Sequence, residues 1–130
     1  MAILLVEDNP GDVVLIRESL EEHKVNCHLF VADDGEKAIQ FIDELGADGD
    51  PFPALVILDL NLPKRSGREV LRRMRQNTNW ASTPAVILSS SGALKDQEET
   101  ARLGASKYIR KPSNLEAFME IGGVLKTMLG

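Results

Sequence analysis

Leu55-Val56-Ile57-Leu58-Asp59 decides the fold of this chain, because four consecutive aliphatic residues lead directly into an acid. A run of this kind is typical of a strand that is buried on both faces. Similar short runs recur, each followed by apolar residues at helical spacing: Ala2 to Val6, His28 to Val31, Ala85 to Leu88 and Tyr108-Ile109. Five such β–α units predict an α/β fold, in which helices cover both faces of a doubly wound, five-stranded parallel sheet.

Length and composition limit the function classes that suit the chain. Its 130 residues fit a single domain spanning 1–130, and 43% hydrophobic residues are enough for an ordinary core. No apolar run approaches the ~18 residues that a membrane-spanning helix needs, so no membrane association is expected. The net charge of -5 argues against a general affinity for DNA. Cys27 is the only cysteine, which fits a reducing, cytoplasmic location.

One segment runs against the acidic balance. The predicted third helix and the loop before it carry Lys64, Arg65, Arg68, Arg72, Arg73 and Arg75. No aromatic residues are interleaved with these basic residues, as they are in many nucleic-acid-binding surfaces. A solvated helix face is therefore favoured over a nucleic-acid patch.

Charged and polar residues directly follow four of the predicted strands. They are Glu7-Asp8, Asp59, Ser89 and Lys111. Ligands of doubly wound sheets bind beyond the carboxyl ends of the strands, so these groups are expected around one pocket. Three carboxylates brought together repel one another, which raises at least one pKa and favours a bound cation. Oxygen-only ligands suit Mg2+ as that cation.

The chemistry expected of this pocket is phosphoryl transfer. A carboxylate beside a divalent cation can attack phosphorus and form an acyl phosphate, a reaction that depends mainly on positioning and charge neutralisation. Lys111 could neutralise one phosphoryl oxygen, and the Ser89 hydroxyl could donate a hydrogen bond to another. Asp59 is the predicted nucleophile.

The same residues carry a family resemblance that spans the chain nearly end to end. The receiver domain of two-component response regulators has, in this order and at this spacing, Glu7-Asp8, Asp59-Leu60-Asn61-Leu62-Pro63 with Gly67, Ser89, and Gly104-Ala105 through Tyr108 to Lys111-Pro112. The chain most resembles the stand-alone, chemotaxis-regulator-like members. The resemblance implies a flavodoxin-like receiver fold with strand order 2-1-3-4-5.

The resemblance also implies roles at the metal site. Asp59 would accept a phosphoryl group from a histidine kinase. Its carboxylate, those of Glu7 and Asp8, and the backbone carbonyl of Asn61 would hold Mg2+. Lys111 would contact the phosphoryl group. The acidic pair is often two aspartates in the family, and Glu7 keeps the charge of the first.

A switch pair is implied as well. Ser89 would move toward the phosphoryl group on Asp59, and Tyr108 would then turn inward and change a protein-interaction surface. The chain would be a signalling switch that catalyses its own phosphorylation and dephosphorylation, and not an enzyme in the usual sense. The Lys111–Pro112 peptide bond is commonly cis in the family.

The expected partners are a histidine kinase and a downstream protein target. Asn61-Leu62-Pro63 and the long loop Gly46 to Pro53 resemble stand-alone regulators that are paired with bacterial phytochromes, which makes a phytochrome the candidate kinase. Two alternatives stay open. An aspartyl-phosphate phosphohydrolase would need a second acid two residues after Asp59, where Asn61 stands. A phosphorylation-independent interaction module would need neither the acidic set nor Lys111.

Two further segments are candidates for protein contacts. The last helix is predicted to begin near Ser113 or Asn114 and to face the sheet with Leu115, Phe118, Gly122, Leu125 and Leu129. Its second apolar side is a candidate homodimer or kinase-docking interface formed by Met119, Ile121, Val124 and Met128. Trp80, in the polar loop before the fourth strand, is expected to be a partly exposed contact residue.

Overall fold

The computed structural model describes residues 1–45 and 52–130, so the predicted loop Gly46 to Pro53 lies largely outside the described residues. Strands and helices alternate along the chain: β1 (Ala2–Val6), α1 (Pro10–Glu22), β2 (His28–Ala32), α2 (Gly35–Glu44), β3 (Leu55–Leu58), α3 (Gly67–Gln76), β4 (Ala85–Ser89), α4 (Leu94–Arg102), β5 (Lys107–Arg110), α5 (Leu115–Met119) and α6 (Ile121–Leu129). The strands form one parallel sheet in the order β2-β1-β3-β4-β5. The predicted α/β fold, strand order and parallel pairing are confirmed.

Helices cover both faces of the sheet because alternate strand residues point to opposite sides. Ile3 and Leu5 of β1 pack in a core cluster with apolar residues of α1, α5 and α6. Leu4 and Val6 pack in a second cluster with apolar residues of α2 and α3. All four side chains are at most 1% exposed, and burying each one contributes about 1.5–3 kcal/mol. This double burial explains why the strands read as unbroken apolar runs.

Polar side chains cap the helices close to the strand ends. The Asn9 side chain accepts hydrogen bonds from the backbone of the first turn of α1, and Asp34 and Ser66 do the same for α2 and α3. Asn114 caps α5, which confirms one of the two predicted starts. Pro10 occupies the first helical position of α1, where proline is favourable because its backbone has no N–H to satisfy.

The C-terminal segment differs from the predicted single helix. It is divided at Glu120 into α5 and α6. Ile121 lies three residues after Phe118 and four before Leu125, so it shares their buried face. Ile121 is only 4% exposed, so its prediction as an exposed interface residue is wrong. Leu115, which was expected to face the sheet, is 61% exposed. The other predicted interface residues are half-buried: Met119, Val124 and Met128.

Helices α1 and α6 meet at Gly122, beside this break. The buried Ser19 hydroxyl donates to the Met119 carbonyl and accepts from the Gly122 N–H, both at 2.7 Å. A Cβ atom on Gly122 would lie 2.2 Å from the Ser19 carbonyl oxygen. Close backbone approach therefore explains a glycine inside a helix, where it is intrinsically unfavourable.

Trp80 is completely buried, so the prediction of a partly exposed contact residue is wrong. Its ring centroid lies 4.5 Å from that of Phe52 and 6.2 Å from that of Phe41. The Arg75 guanidinium fixes the loop by donating to the backbone carbonyls of Trp80, Ala81, Thr83 and Gly104. These hydrogen bonds fold a polar stretch back over its single tryptophan.

The basic segment is largely neutralised within the fold. Arg65 pairs with Glu69, and Arg73 pairs with Asp43. Arg68 pairs with two α4 carboxylates, those of Asp96 and Glu99. These pairs support the solvated-face interpretation of the arginine cluster. None of the helices in residues 1–45 and 52–130 combines the length and hydrophobicity that a transmembrane span requires.

Candidate functional site

The site lies at the carboxyl edge of the sheet, where backbone hydrogen bonds continue past the strand ends. The Glu7 N–H donates to the Ala32 carbonyl, and the Asp59 N–H donates to the Val6 carbonyl, each at 3.0 Å. The Lys111 N–H donates to the Ser89 carbonyl at 2.7 Å. The backbone that carries the predicted site residues is therefore as firmly held as the sheet itself.

Three carboxylates meet at this edge, as their positions after β1 and β3 predicted. Glu7, Asp8 and Asp59 each offer an oxygen within 4.8 Å of the other two. Glu7 is 2% exposed and Asp59 is 6% exposed, whereas Asp8 is open to solvent. The cluster is therefore buried on one side and accessible on the other. An oxygen-only donor set of this kind fits a hard divalent cation, so the acidic cluster could bind one.

The pKa of Glu7 is raised from 4.5 to about 7. Burial is the largest cause, because it disfavours the charged carboxylate, and the negative charge of Asp59 adds to it. The hydrogen bond from Lys111 opposes the shift. The predicted rise of at least one pKa is confirmed, although desolvation contributes more than repulsion between the acids.

Lys111 brings a positive charge to these carboxylates. Its Nζ lies 2.6 Å from Glu7 Oε1 and 3.0 Å from Asp59 Oδ2. Burial lowers the pKa of this amine, but hydrogen bonds to the surrounding carboxylates outweigh it, and the pKa is raised above its usual value. Lys111 is therefore protonated at neutral pH and faces the predicted phosphoacceptor.

Asp12 is a member of the site that the sequence analysis missed. Its Oδ2 lies 2.8 Å from Lys111 Nζ, across 99 residues of sequence. Asp12 stands in the first turn of α1, four residues after Asp8. The sequence signal for Asp12 is its position: it is an acid in the first turn of a helix that starts at the carboxyl edge of the sheet.

Asp59 is oriented by the loop that follows it. The Asn61 N–H donates to Asp59 Oδ1 at 3.1 Å, while Lys111 holds Oδ2. Gly67 lets α3 begin against this loop, because a Cβ atom there would lie 2.2 Å from the Asp59 carbonyl oxygen. Both carboxylate oxygens of the predicted nucleophile thus have a hydrogen-bond donor.

The two residues of the predicted switch pair both contact Ser91. The fully buried Ser89 accepts a hydrogen bond at its Oγ from the Ser91 N–H at 3.2 Å. The Tyr108 hydroxyl donates to the Ser91 carbonyl at 2.8 Å. Tyr108 is half-buried, and its hydroxyl is held by the backbone. Ser91 therefore connects the end of β4 to β5, and the role of the pair as a switch stays a prediction.

The Lys111–Pro112 peptide bond is trans, so the cis bond implied by the family resemblance is not found. The described residues contain no cis peptide bond. An open cavity of about 880 Å³ borders this segment, lined by residues of β5, α1 and α5 that include Asp12, Arg110 and Lys111. This cavity reaches Lys111, and the acidic cluster itself is open to solvent at Asp8.

Comparison with known proteins agrees with this geometry. Residues 3–121 match the model of the response regulator receiver domain. The chain is 36% identical over 124 residues to response regulator Rcp1 of Synechocystis sp., covering 94% of this chain and 84% of that protein. It is 32% identical to the transcriptional regulatory protein TrcR of Mycobacterium tuberculosis, covering 95% of this chain but 45% of that protein.

Solved structures give the same result. The phosphorylated cyanobacterial phytochrome response regulator RcpA superposes with a TM-score of 0.89 at 33% identity, covering 98% of this chain and 92% of that chain. The Mn(2+)-bound form of Rcp1 superposes with a TM-score of 0.86 at 34% identity, covering 97% of this chain and 91% of that chain.

Proposed function

The chain belongs to the family of response regulator receiver domains, and we propose that it is a signalling switch whose Asp59 accepts a phosphoryl group from a histidine kinase. One observation carries this assignment to Asp59. The Asp59 carboxylate is 6% exposed, lies within 4.8 Å of two other carboxylates, and receives a hydrogen bond from Lys111 at 3.0 Å. A surface acid or a helix cap needs no such surroundings.

The metal that we propose is Mg2+. The carboxylates of Glu7, Asp8 and Asp59 would hold it, together with the backbone carbonyl of Asn61. When bound, the cation neutralises negative charge on the phosphoryl oxygens and on the attacking carboxylate. The similarity to a Mn(2+)-bound regulator supports a divalent ion as the bound metal.

The transfer that we propose forms one bond and breaks another. A carboxylate oxygen of Asp59 attacks phosphorus, and the bond between phosphorus and the donor's leaving group breaks. Lys111 lies within reach of Asp59 and would neutralise a phosphoryl oxygen. Asn61 N–H keeps the carboxylate oriented during the attack. The same pocket would admit water for later hydrolysis, so the chain would catalyse its own phosphorylation and dephosphorylation.

The response of the surface would begin at Ser89. In the unphosphorylated protein, the Ser89 hydroxyl accepts a hydrogen bond from the Ser91 N–H. If the hydroxyl instead moves to donate to a phosphoryl oxygen on Asp59, it moves away from that N–H. The Ser91 carbonyl also holds Tyr108, so a shift of Ser91 would move that side chain. The surface formed by α4, β5 and α5 would then have two arrangements with different partners.

The kinase that we propose is a phytochrome, because the chain is similar to a phytochrome response regulator over nearly its whole length. A downstream protein would receive the signal through the switch surface, and no contact with DNA is proposed. Homodimerisation through the half-buried Met119, Val124 and Met128 stays a prediction, as does a cytoplasmic location.

The test is the intact mass of the protein after incubation with acetyl phosphate and Mg2+. We expect a single phosphoryl adduct that EDTA prevents and that Asp59→Asn lacks. Asp33→Asn is the matched control, because it removes an exposed acid at the same edge of the sheet. Absence of an adduct on the folded, Mg2+-binding protein would contradict the proposal and favour a phosphorylation-independent interaction module.

A further inference from the structure

The ammonium of Lys111 has three carboxylate partners, and Asp12 is the one without a role in the proposed reaction. Its Oδ2 lies 2.8 Å from Lys111 Nζ, a distance typical of a charge-assisted hydrogen bond. The Lys111 and Asp12 side chains are 15% and 21% exposed, so water screens this pair less than it screens a surface pair. The contact therefore has the geometry and burial to influence where the ammonium lies.

The other two partners are required elsewhere during phosphorylation. Glu7 and Asp59 belong to the acidic cluster that would hold a cation, and Asp59 is also the proposed nucleophile. Their bonds to Lys111 would weaken as those carboxylates engage the cation and phosphorus. Asp12 is outside that cluster, so its bond to Lys111 is the one that can persist throughout.

Asp12 is attached more rigidly than the lysine that it holds. It lies in the first turn of α1, which is capped by Asn9 and packs against α5 and α6. A lysine side chain carries four rotatable bonds, and ordering them costs conformational entropy. A fixed carboxylate at the pocket mouth offsets that loss before the phosphoryl donor arrives.

We infer that Asp12 is a positioning residue for phosphoryl transfer, holding the Lys111 ammonium beside Asp59 while Glu7 and Asp59 engage their other partners. This inference rests on the proposed function of Asp59. Asp12 does not touch the reacting atoms and acts through Lys111 alone.

The first test needs neither metal nor phosphoryl donor. Competitive acetylation with acetic anhydride in EDTA, followed by peptide mass spectrometry, compares Lys111 with the exposed Lys126 as an internal reference. Asp12→Asn keeps the side-chain size and removes the charge, so we expect Lys111 to react about threefold faster relative to Lys126, because the amine loses one of the three carboxylates that hold it in the site. Unchanged relative reactivity would show that Asp12 does not hold this amine and would overturn the inference.

The second test follows the rate of adduct formation with acetyl phosphate and Mg2+. We expect Asp12→Asn to slow the reaction about tenfold, which is about 1.4 kcal/mol of activation free energy. Asp12→Glu should recover much of the rate, and Asp33→Asn should stay within about twofold of the wild type, since an exposed charge is well screened.

The two proposals fail in different ways. If the wild-type protein forms no adduct, the proposed function is contradicted. The acetylation of Lys111 still decides in that case whether Asp12 holds the amine. If the wild type is phosphorylated at Asp59 and the Asp12→Asn variant reacts equally fast or faster, the proposed function stands. The positioning role of Asp12 is then overturned. A faster variant would mean that Asp12 mainly repels the anionic donor.

Discussion

A single methyl group added to Gly122 should push α1 and α6 apart, whereas the same change at Gly123 should be tolerated. Gly122 lies against the backbone of Ser19, and an added Cβ would be 2.2 Å from its carbonyl oxygen and 2.6 Å from its carbonyl carbon. At Gly123 the nearest atoms belong to the His23 ring, at 3.0 and 3.2 Å. The His23 side chain needs to shift only slightly to accept the new atom, whereas the helix backbone at Ser19 cannot move without the rest of α1.

The expected magnitudes follow from these contacts. Carbon atoms in contact prefer a separation of about 3.5–4.0 Å, so the two helices must separate by more than about 1 Å to accept the new Cβ. Such overpacking costs about 1–3 kcal/mol, and a weakened hydrogen bond between Gly122 N–H and Ser19 Oγ adds about 1 kcal/mol. Replacing glycine by alanine in a helix returns about 1 kcal/mol. Gly122→Ala should therefore lower the free energy of unfolding by about 1–3 kcal/mol, while Gly123→Ala should leave it unchanged or raise it by up to about 1 kcal/mol.

Urea unfolding followed by Trp80 fluorescence measures this difference, because the buried ring becomes exposed on unfolding. Both variants share the same gain in helix propensity, so the difference between their midpoints isolates the steric effect. The slope with urea should not change, since the surface exposed on unfolding is nearly the same. Equal effects of the two substitutions, or stabilisation by Gly122→Ala, would refute the argument from close backbone approach.

The remaining predictions concern the site and its supporting helices. Because the pKa of Glu7 is about 7 in the metal-free protein, protons should compete with Mg2+ for this carboxylate. Titration calorimetry should find the Mg2+ affinity about tenfold weaker at pH 6 than at pH 8. Glu7→Gln should flatten this pH dependence. The folded state binds this proton more tightly than the unfolded chain, so the contribution of Glu7 to metal-free stability should fall as pH rises from 4.5 to about 7. Arg68→Ala removes two partly buried ion pairs between α3 and α4, so it should lower the free energy of unfolding by about 1 kcal/mol or more and speed hydrogen exchange in α4. Arg65→Ala breaks an exposed pair and should lower the free energy of unfolding by less than about 0.5 kcal/mol. Ile121→Glu buries a charge and should destabilise the fold by about 3 kcal/mol or more in the same urea assay. Because that variant would be destabilised, it is unsuitable for testing the predicted dimer. Val124→Glu is the suitable variant, and its sedimentation at high concentration is the test.

The sequence by itself determined the strands, their order along the chain and most of the site. A strand buried on both faces needs apolar residues at every position, so β1, β3 and β4 are visible as unbroken runs. The residues that directly follow a strand must lie at the carboxyl edge of the sheet, because the chain connects them to the end of that strand. Glu7, Asp59 and Lys111 were therefore predictable without knowledge of any long-range contact. The order of the strands across the sheet came from the family resemblance, and the structure confirms it.

Tertiary structure decided what depends on packing between distant segments. Trp80 is buried because Arg75 folds its polar loop back onto aromatic residues of other elements. Ile121, by contrast, lies three residues after Phe118 and four before Leu125, so it shares one buried helix face with them. The burial of Trp80 is therefore not encoded in the periodicity of the local sequence, whereas the burial of Ile121 is.

Asp12 shows the same division within the site. In sequence it is an acid in the first turn of a helix, where a negative charge is favourable whatever lies nearby. Its contact with Lys111 exists only because the sheet brings the start of α1 to the end of β5. Local interactions determine helices, caps and strands from neighbouring residues, whereas a contact across 99 residues depends on how those elements pack together.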